Sequence, residues 1–235
     1  MQSDNMIIRP AAERGRSRRD WLDSRHSFSF GDYQDPRYNG FSALRVINDD
    51  RVSPGGGFAP HSHSDMDIIS YVLEGALQHK DSLGTGSVIR PGEIQRMSAG
   101  TGITHSEYNA SQQEPVHFLQ IWIIPQRRGL PPSYEQCSFK PADMPGRWLK
   151  LAAAENNGAL VTVHQDLVLM VTRAAQETVA YQLSRGRRAW LQVARGAAKI
   201  NGKSLGEGDG AALMGPATIS VSGAPEGEVL LFDLQ

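Results

Sequence analysis

The stretch YVLEGALQHKDSLGTGSVIRPGE, residues 71–93, reads as strand, glycine, strand, turn, strand, then a glycine followed by an acid. The same grammar returns in LQVARGAAKINGKSLGEGDG, residues 191–210. Gly75 matches Gly196, and Gly92–Glu93 match Gly208–Asp209. The second copy has the shorter hairpin, closed by Asn201–Gly202, a pair suited to a tight two-residue turn. Two copies of one β-unit in 235 residues predict a duplicated all-β chain with two β-barrel domains.

Working outward, strand-like runs with turn signals between them fill both halves. SALRVINDD (42–50), DIISYVLEG (67–75), EIQRMSAG (93–100), ITHSEYN (103–109) and VHFLQIWIIP (116–125) belong to the first half. ALVTVHQD (159–166), LVLMVTRA (167–174), TVAYQLS (178–184), RAWLQVARG (188–196), ATISVSG (217–223) and GEVLLFDL (227–234) belong to the second. Short strands at this spacing suit a sandwich or barrel. Pro and polar residues with little periodicity separate the halves. The expected domains are therefore 1–130, a linker at 131–150, and 151–235.

Composition narrows the class. Apolar residues make up 40% and charged residues 21%, which suits an ordinary soluble chain with a buried core. With 24 basic and 25 acidic residues there is no overall positive field to hold nucleic acid. The one basic run, RGRSRR (14–19), is expected as a solvated loop or turn. A single cysteine, Cys137, excludes a disulfide within the chain and a cysteine metal cluster, and fits a reducing compartment. No apolar run suits a signal peptide or a membrane span of ~20 residues, so a cytoplasmic location without membrane contact is expected.

Two triplets carry the chemistry. HSH (61–63) and HSE (105–107) each place two donors two residues apart, hence on one face of a strand. Either triplet alone reads more readily as surface residues. Together, each beside a Gly-rich turn and within a strand pattern, they predict a shared metal held by His61, His63, His105 and Glu107. Imidazole with carboxylate and no thiolate suits Zn, Fe, Ni, Mn or Cu and argues against a closed structural zinc site. Four protein ligands leave coordination positions open for catalysis. His26, His79, His117 and His164 are expected in structural roles, and Trp122 in the core. Phe58, Met66, Met97 and Ile103 flank the triplets and suit either an apolar pocket or plain core packing.

These residues also carry a resemblance. GGGFAPHSHSDMDIISYVLEG (55–75) resembles the first cupin motif, with Gly55 at the required offset before His61. GEIQRMSAGTGITHSEYN (92–109) resembles the second, and in detail both are similar to the pirin family. WLDSRHSFSFGDYQDP (21–36), GFSALRVINDD (40–50) and the closing EVLLFDL extend the likeness over nearly the whole chain. The resemblance implies a bicupin, two jelly-roll barrels, with one divalent transition metal in the first. Iron is the first expectation; zinc, copper, nickel, cobalt and manganese stay open. It implies the same four ligands. Asp67 stands where pirins usually have Glu and is expected to support the site or the fold rather than bind metal. The implied activity is that of a quercetin 2,3-dioxygenase, opening the ring of a flavonol with O₂, with Glu107 as general base. The alternative is a non-catalytic regulator that binds transcription or metabolic proteins. An ungapped alignment of the halves puts Gln182, Ser184, Val221 and Gly223 opposite the four ligands, so the second barrel is expected to lack metal.

Overall fold

A computed structural model of the chain describes residues 6–155 and 157–235. Residues 1–5 and Asn156, within the expected domains 1–130 and 151–235, lie outside the described residues. The strands of the first half are β1 (Ile7–Arg9), β2 (Gly15–Arg19), β3 (Leu22–His26), β4 (Leu44–Val52), β5 (Gly57–His63), β6 (Asp67–Glu74), β7 (Leu77–Asp81), β8 (Gly86–Ile89), β9 (Glu93–Ser98), β10 (Ile103–Asn109), β11 (Val116–Ile123) and β12 (Ser133–Ser138). Those of the second are β13 (Leu149–Ala153), β14 (Val161–Thr162), β15 (Leu167–Arg173), β16 (Val179–Leu183), β17 (Arg188–Arg195), β18 (Ala197–Ile200), β19 (Lys203–Gly206), β20 (Gly210–Met214), β21 (Ala217–Ser222) and β22 (Glu228–Leu234). The fold is all-β, with two cupin barrels. No helix among the described residues is long and apolar enough to cross a membrane.

The chain divides into two compact units. One comprises residues 15–139 with 160–165. Its large sheet has the order β12-β9-β6-β11-β4-β3-β2 and its small sheet β5-β10-β7-β8. The other unit takes the remaining described residues. Its large sheet contains the run β1-β20-β17-β22-β15-β13 and its small sheet is β16-β21-β18-β19. Strand for strand the two orders correspond, which is the duplication written in hydrogen bonds. The matched glycines behave alike. Gly75 has φ +74° and Gly196 φ +59°, and a Cβ on either would press on a backbone carbonyl, that of Pro115 or of Glu226. The turn there needs both the left-handed backbone and the missing side chain.

Two expectations are corrected. The interval 131–150 is not a bare linker: β12 pairs antiparallel with β9 and closes the first large sheet. Its sequence, SYEQCS, has no apolar alternation because most of it is only half-buried, so periodicity could not reveal it. In the other unit the matching edge is β1, paired with β20. The run RGRSRR is not a loop: Gly15–Arg19 forms β2, paired with β3 at the sheet edge. Arg16 there makes a bidentate pair with Asp23 at 2.9 and 2.6 Å. Charged side chains on an edge strand discourage further strand pairing.

The interiors differ more than the frames. In the second barrel an apolar cluster includes Leu191, Ile200, Ile219, Val221 and Leu231. In the first, apolar clusters form around Phe118 and Val72 and around Ile68 and Met97. Between them a buried polar rung crosses the large sheet in register: His26, Asn48, Gln120, Ser70 and Gln95. The matching register in the second barrel is Met170, Leu231, Leu191 and Ala211 for Asn48, Gln120, Ser70 and Gln95.

Gly75→Ala and Gly196→Ala should each destabilise the protein by about 2 kcal/mol, since left-handed strain and a backbone clash add. Gly84→Ala has φ +88° but no atom within 4 Å of its Cβ, so it should cost about half as much. Thermal unfolding of the three variants checks the order, and equal losses would contradict it.

Candidate metal centre

β5 and β10 pair antiparallel and bring the triplets together. His105 stands opposite His61, and Ile103 opposite His63. The register then slips: Glu107 faces Phe58, so Ala59 and Pro60 together oppose the single residue Ser106. This is a β-bulge, and Pro60, which has no N–H, suits it. The bulge turns the Ala59 carbonyl toward His61, whose Nδ1 donates to it at 2.8 Å. A carbonyl can only accept, so the proton sits on Nδ1 and the Nε2 lone pair is left for a ligand.

The three imidazoles form a tight group. Ring centroids lie 4.4 Å apart for His61–His105, 4.8 Å for His61–His63 and 5.0 Å for His63–His105. Their candidate ligand atoms all fall within 4.8 Å of one another. His105 is buried, and neither of its ring nitrogens has a hydrogen-bond partner. Burial, followed by the neighbouring imidazoles, pushes His105 down to about 2; burial, followed by His61, pushes His63 down to about 4. Both rings are therefore neutral at ordinary pH, the form in which imidazole binds metal. An orphaned, neutral, buried histidine facing two others fits a metal ion.

Glu107 lies beside His105 but outside the His61–His63–His105 trio, and has its own supports. Its carboxylate is buried; Oε1 accepts from Ser70 Oγ at 3.2 Å and Oε2 from Gln120 Nε2 at 2.5 Å. Burial pushes its pKa up to about 7 against the downward pull of those two donors. The structure groups Glu107 with His105 and with His79, a residue expected to be structural. His79 Nε2 donates to Asp81 Oδ2 at 2.9 Å, while Asp81 Oδ1 accepts from the amides of Leu83 and Thr85. His79 Nδ1 remains buried without a partner. The ring is thus half satisfied and fixed in orientation beside the cluster.

The other expectations sort clearly. Asp67 lies outside the cluster; its carboxylate accepts from Ser98 Oγ and, at 2.6 Å, from the backbone N–H of His164. His26 binds Asn48 and Ser17, and His117 binds Asp49. Trp122 is not plain core: it is half-buried, edge-on to His63 with centroids 4.9 Å apart. Met66, Met97 and Ile103 pack with it in one apolar cluster next to the histidines, whereas Phe58 packs on Trp21 in another. Ser70, Gln120 and Trp122 were not read as site residues from sequence. A usable signal existed: a lone polar residue inside an otherwise apolar strand, as in DIISYVL and HFLQIWI, is the informative oddity.

In the second barrel the register corrects the alignment by one or two residues. Tyr181 pairs with Ile219, Leu183 with Ala217 and Val179 with Val221. The positions matching His61, His63, His105 and Glu107 are therefore Tyr181, Leu183, Ile219 and Val221, not Gln182, Ser184, Val221 and Gly223. The bulge present in β5 is missing from β16, so an ungapped count drifts. No histidine or carboxylate stands at any of the four.

Known proteins similar to this chain span nearly its whole length. A family model described as Pirin matches residues 8–123, and one described as Quercetinase C-terminal cupin domain matches residues 151–234. The chain is 46% identical over 230 residues to a protein named quercetin 2,3-dioxygenase of Escherichia coli, covering 97% of this chain and 98% of that one. It is 40% identical over 215 residues to a pirin-like protein of Caulobacter vibrioides, covering 91% and 92%. The crystal structure of the bacterial pirin YhhW from Escherichia coli in complex with nickel(II) superposes with a TM-score of 0.91 at 45% identity, covering 97% of this chain and 98% of that one. The nickel complex of this relative and the His/Glu cluster together indicate a divalent metal site.

Metal affinity should fall as pH drops through about 7. Glu107 gains a proton there and ceases to be a ligand, while His63 and His105 stay neutral until far lower pH. Calorimetric titration with nickel between pH 5 and 8 checks this. Glu107→Gln should bind more weakly and with a flatter pH dependence; an equally steep profile in that variant would assign the proton elsewhere.

Proposed function

The chain belongs to the pirin family, two cupin domains in one polypeptide, and we propose that it is a metal-dependent dioxygenase opening the central ring of a flavonol such as quercetin with O₂. His61, His63, His105 and Glu107 are the proposed metal ligands, and Glu107 is the proposed general base. The observation that carries the reading is His105, buried beside His61 and His63 with both ring nitrogens unpartnered. The names of the relatives support the substrate class. Nickel and iron are the ions to test first; a His₃Glu set accepts either. The second barrel, with Tyr181, Leu183, Ile219 and Val221 at the matching positions, is proposed to hold no metal.

When bound, the metal supplies Lewis-acid and redox chemistry toward the flavonol hydroxyl and O₂. The residues of the chain position the substrate and take the proton. His61 and His63 are partly exposed while His105 and Glu107 are buried, so substrate approaches from the β5 side. Half-buried Trp122 and Met66 offer an apolar wall to a flat aromatic ring. Glu107 accepts the proton of the flavonol 3-hydroxyl. It can do so once its carboxylate is free of the metal and within hydrogen-bond reach of the hydroxyl.

Protein loaded with nickel or iron should consume quercetin in air, with loss of flavonol absorbance matched by O₂ uptake. Glu107→Gln should keep part of its metal yet lose turnover by roughly 10²–10⁴-fold. Native turnover in that variant would remove the general-base role. Absence of flavonol loss with every metal would instead favour the regulatory reading, in which the metal governs a protein contact.

A further inference from the structure

Gln120 and Trp122 lie two residues apart on β11, so both side chains face the barrel interior. Trp122 Nε1 donates to Gln120 Oε1 at 3.2 Å, and Gln120 Nε2 donates to Glu107 Oε2 at 2.5 Å. A glutamine amide can present either end to a neighbour. The indole N–H removes that freedom, because it can only donate and so claims the amide oxygen. The amide must then turn its NH₂ toward the carboxylate. Flipped, it would set two acceptors face to face in a buried site, a costly arrangement. The same indole lies edge-on to His63, at 4.9 Å between centroids.

We propose that Trp122 and Gln120 form a positioning relay that aims the Glu107 carboxylate at the metal and ties its orientation to the His63 side of the site. The inference rests on the metal reading above but not on the flavonol as substrate. Ser70 holds the other carboxylate oxygen at 3.2 Å, so Gln120 fixes the rotation that a single donor would leave free. The second barrel supports the pairing of roles. Where Glu107 is replaced by Val221, the position of Gln120 holds Leu231, so carboxylate and donor are absent together.

Cobalt(II) is the probe, because its visible spectrum reports the ligand set while calorimetry reports affinity. Gln120→Leu should weaken cobalt binding by about 10–100-fold, the usual effect of removing a residue that orients a ligand, and should shift the spectrum. Trp122→Phe keeps a ring against His63 but deletes the N–H, and should change both in the same direction by less. The double variant should bind no worse than Gln120→Leu, since Trp122 acts through Gln120. Plain structural damage would add in the double variant and leave the spectrum of the remaining bound cobalt unchanged. Circular dichroism identifies a variant that fails to fold, and Trp122→Phe keeps the test alive if Gln120→Leu does. Native affinity and spectrum in both single variants, or additive losses in the double, would overturn the relay. A native protein that takes up no cobalt would overturn the metal reading with it. Normal cobalt binding, with no flavonol turnover by the nickel- or iron-loaded protein, would overturn the dioxygenase alone.

Discussion

A carboxylate buried inside a β-barrel must be met by donors, and in this protein that demand organises the interior of the first barrel. Burying Glu107 without partners would cost several kcal/mol or force it to stay protonated. Ser70 and Gln120 meet the demand from the opposite sheet, and they do so as members of a polar rung that lies between two apolar clusters. The second barrel has the same strand order without the carboxylate, and its matching rung is apolar and belongs to an apolar cluster. One frame thus supports two solutions. One barrel holds a polar rung at the level where the other has apolar side chains.

The site is placed by rigid elements. The bulge at Ala59–Pro60 lies within a paired strand, and it orients His61 through a backbone carbonyl. His63 leans on Trp122, His105 stands in the middle strand of the small sheet, and Glu107 follows on the same strand and face. None of these depends on a mobile loop. That rigidity suits a centre whose donors must hold fixed distances around one ion.

Much of this was legible in the residues. The repeated strand–glycine grammar marked the duplication because Gly75 and Gly196 meet the same local requirement, a left-handed turn against a carbonyl. The two triplets marked the site because alternation along a strand puts both donors on one face. What escaped was whatever depends on partners rather than on local pattern. β12 is half-buried and has no apolar period, and β2 is charged because it is an edge. The ligand positions of the second barrel were misjudged because a bulge shifts register by a residue, which spacing alone does not record. The roles of Gln120 and Ser70 depend on a side chain in another sheet, and a single strand gives no sign of it beyond the oddity of a polar residue among apolar ones.

The central claim is a single four-ligand centre in the first barrel, and anomalous diffraction from crystals of the nickel-loaded protein tests it most directly. The account predicts one strong peak per chain, bonded at about 2.1 Å to His61, His63, His105 and Glu107, with none in the second barrel. A peak in the second barrel, or one that draws on His79 with Glu107 left free, would contradict it.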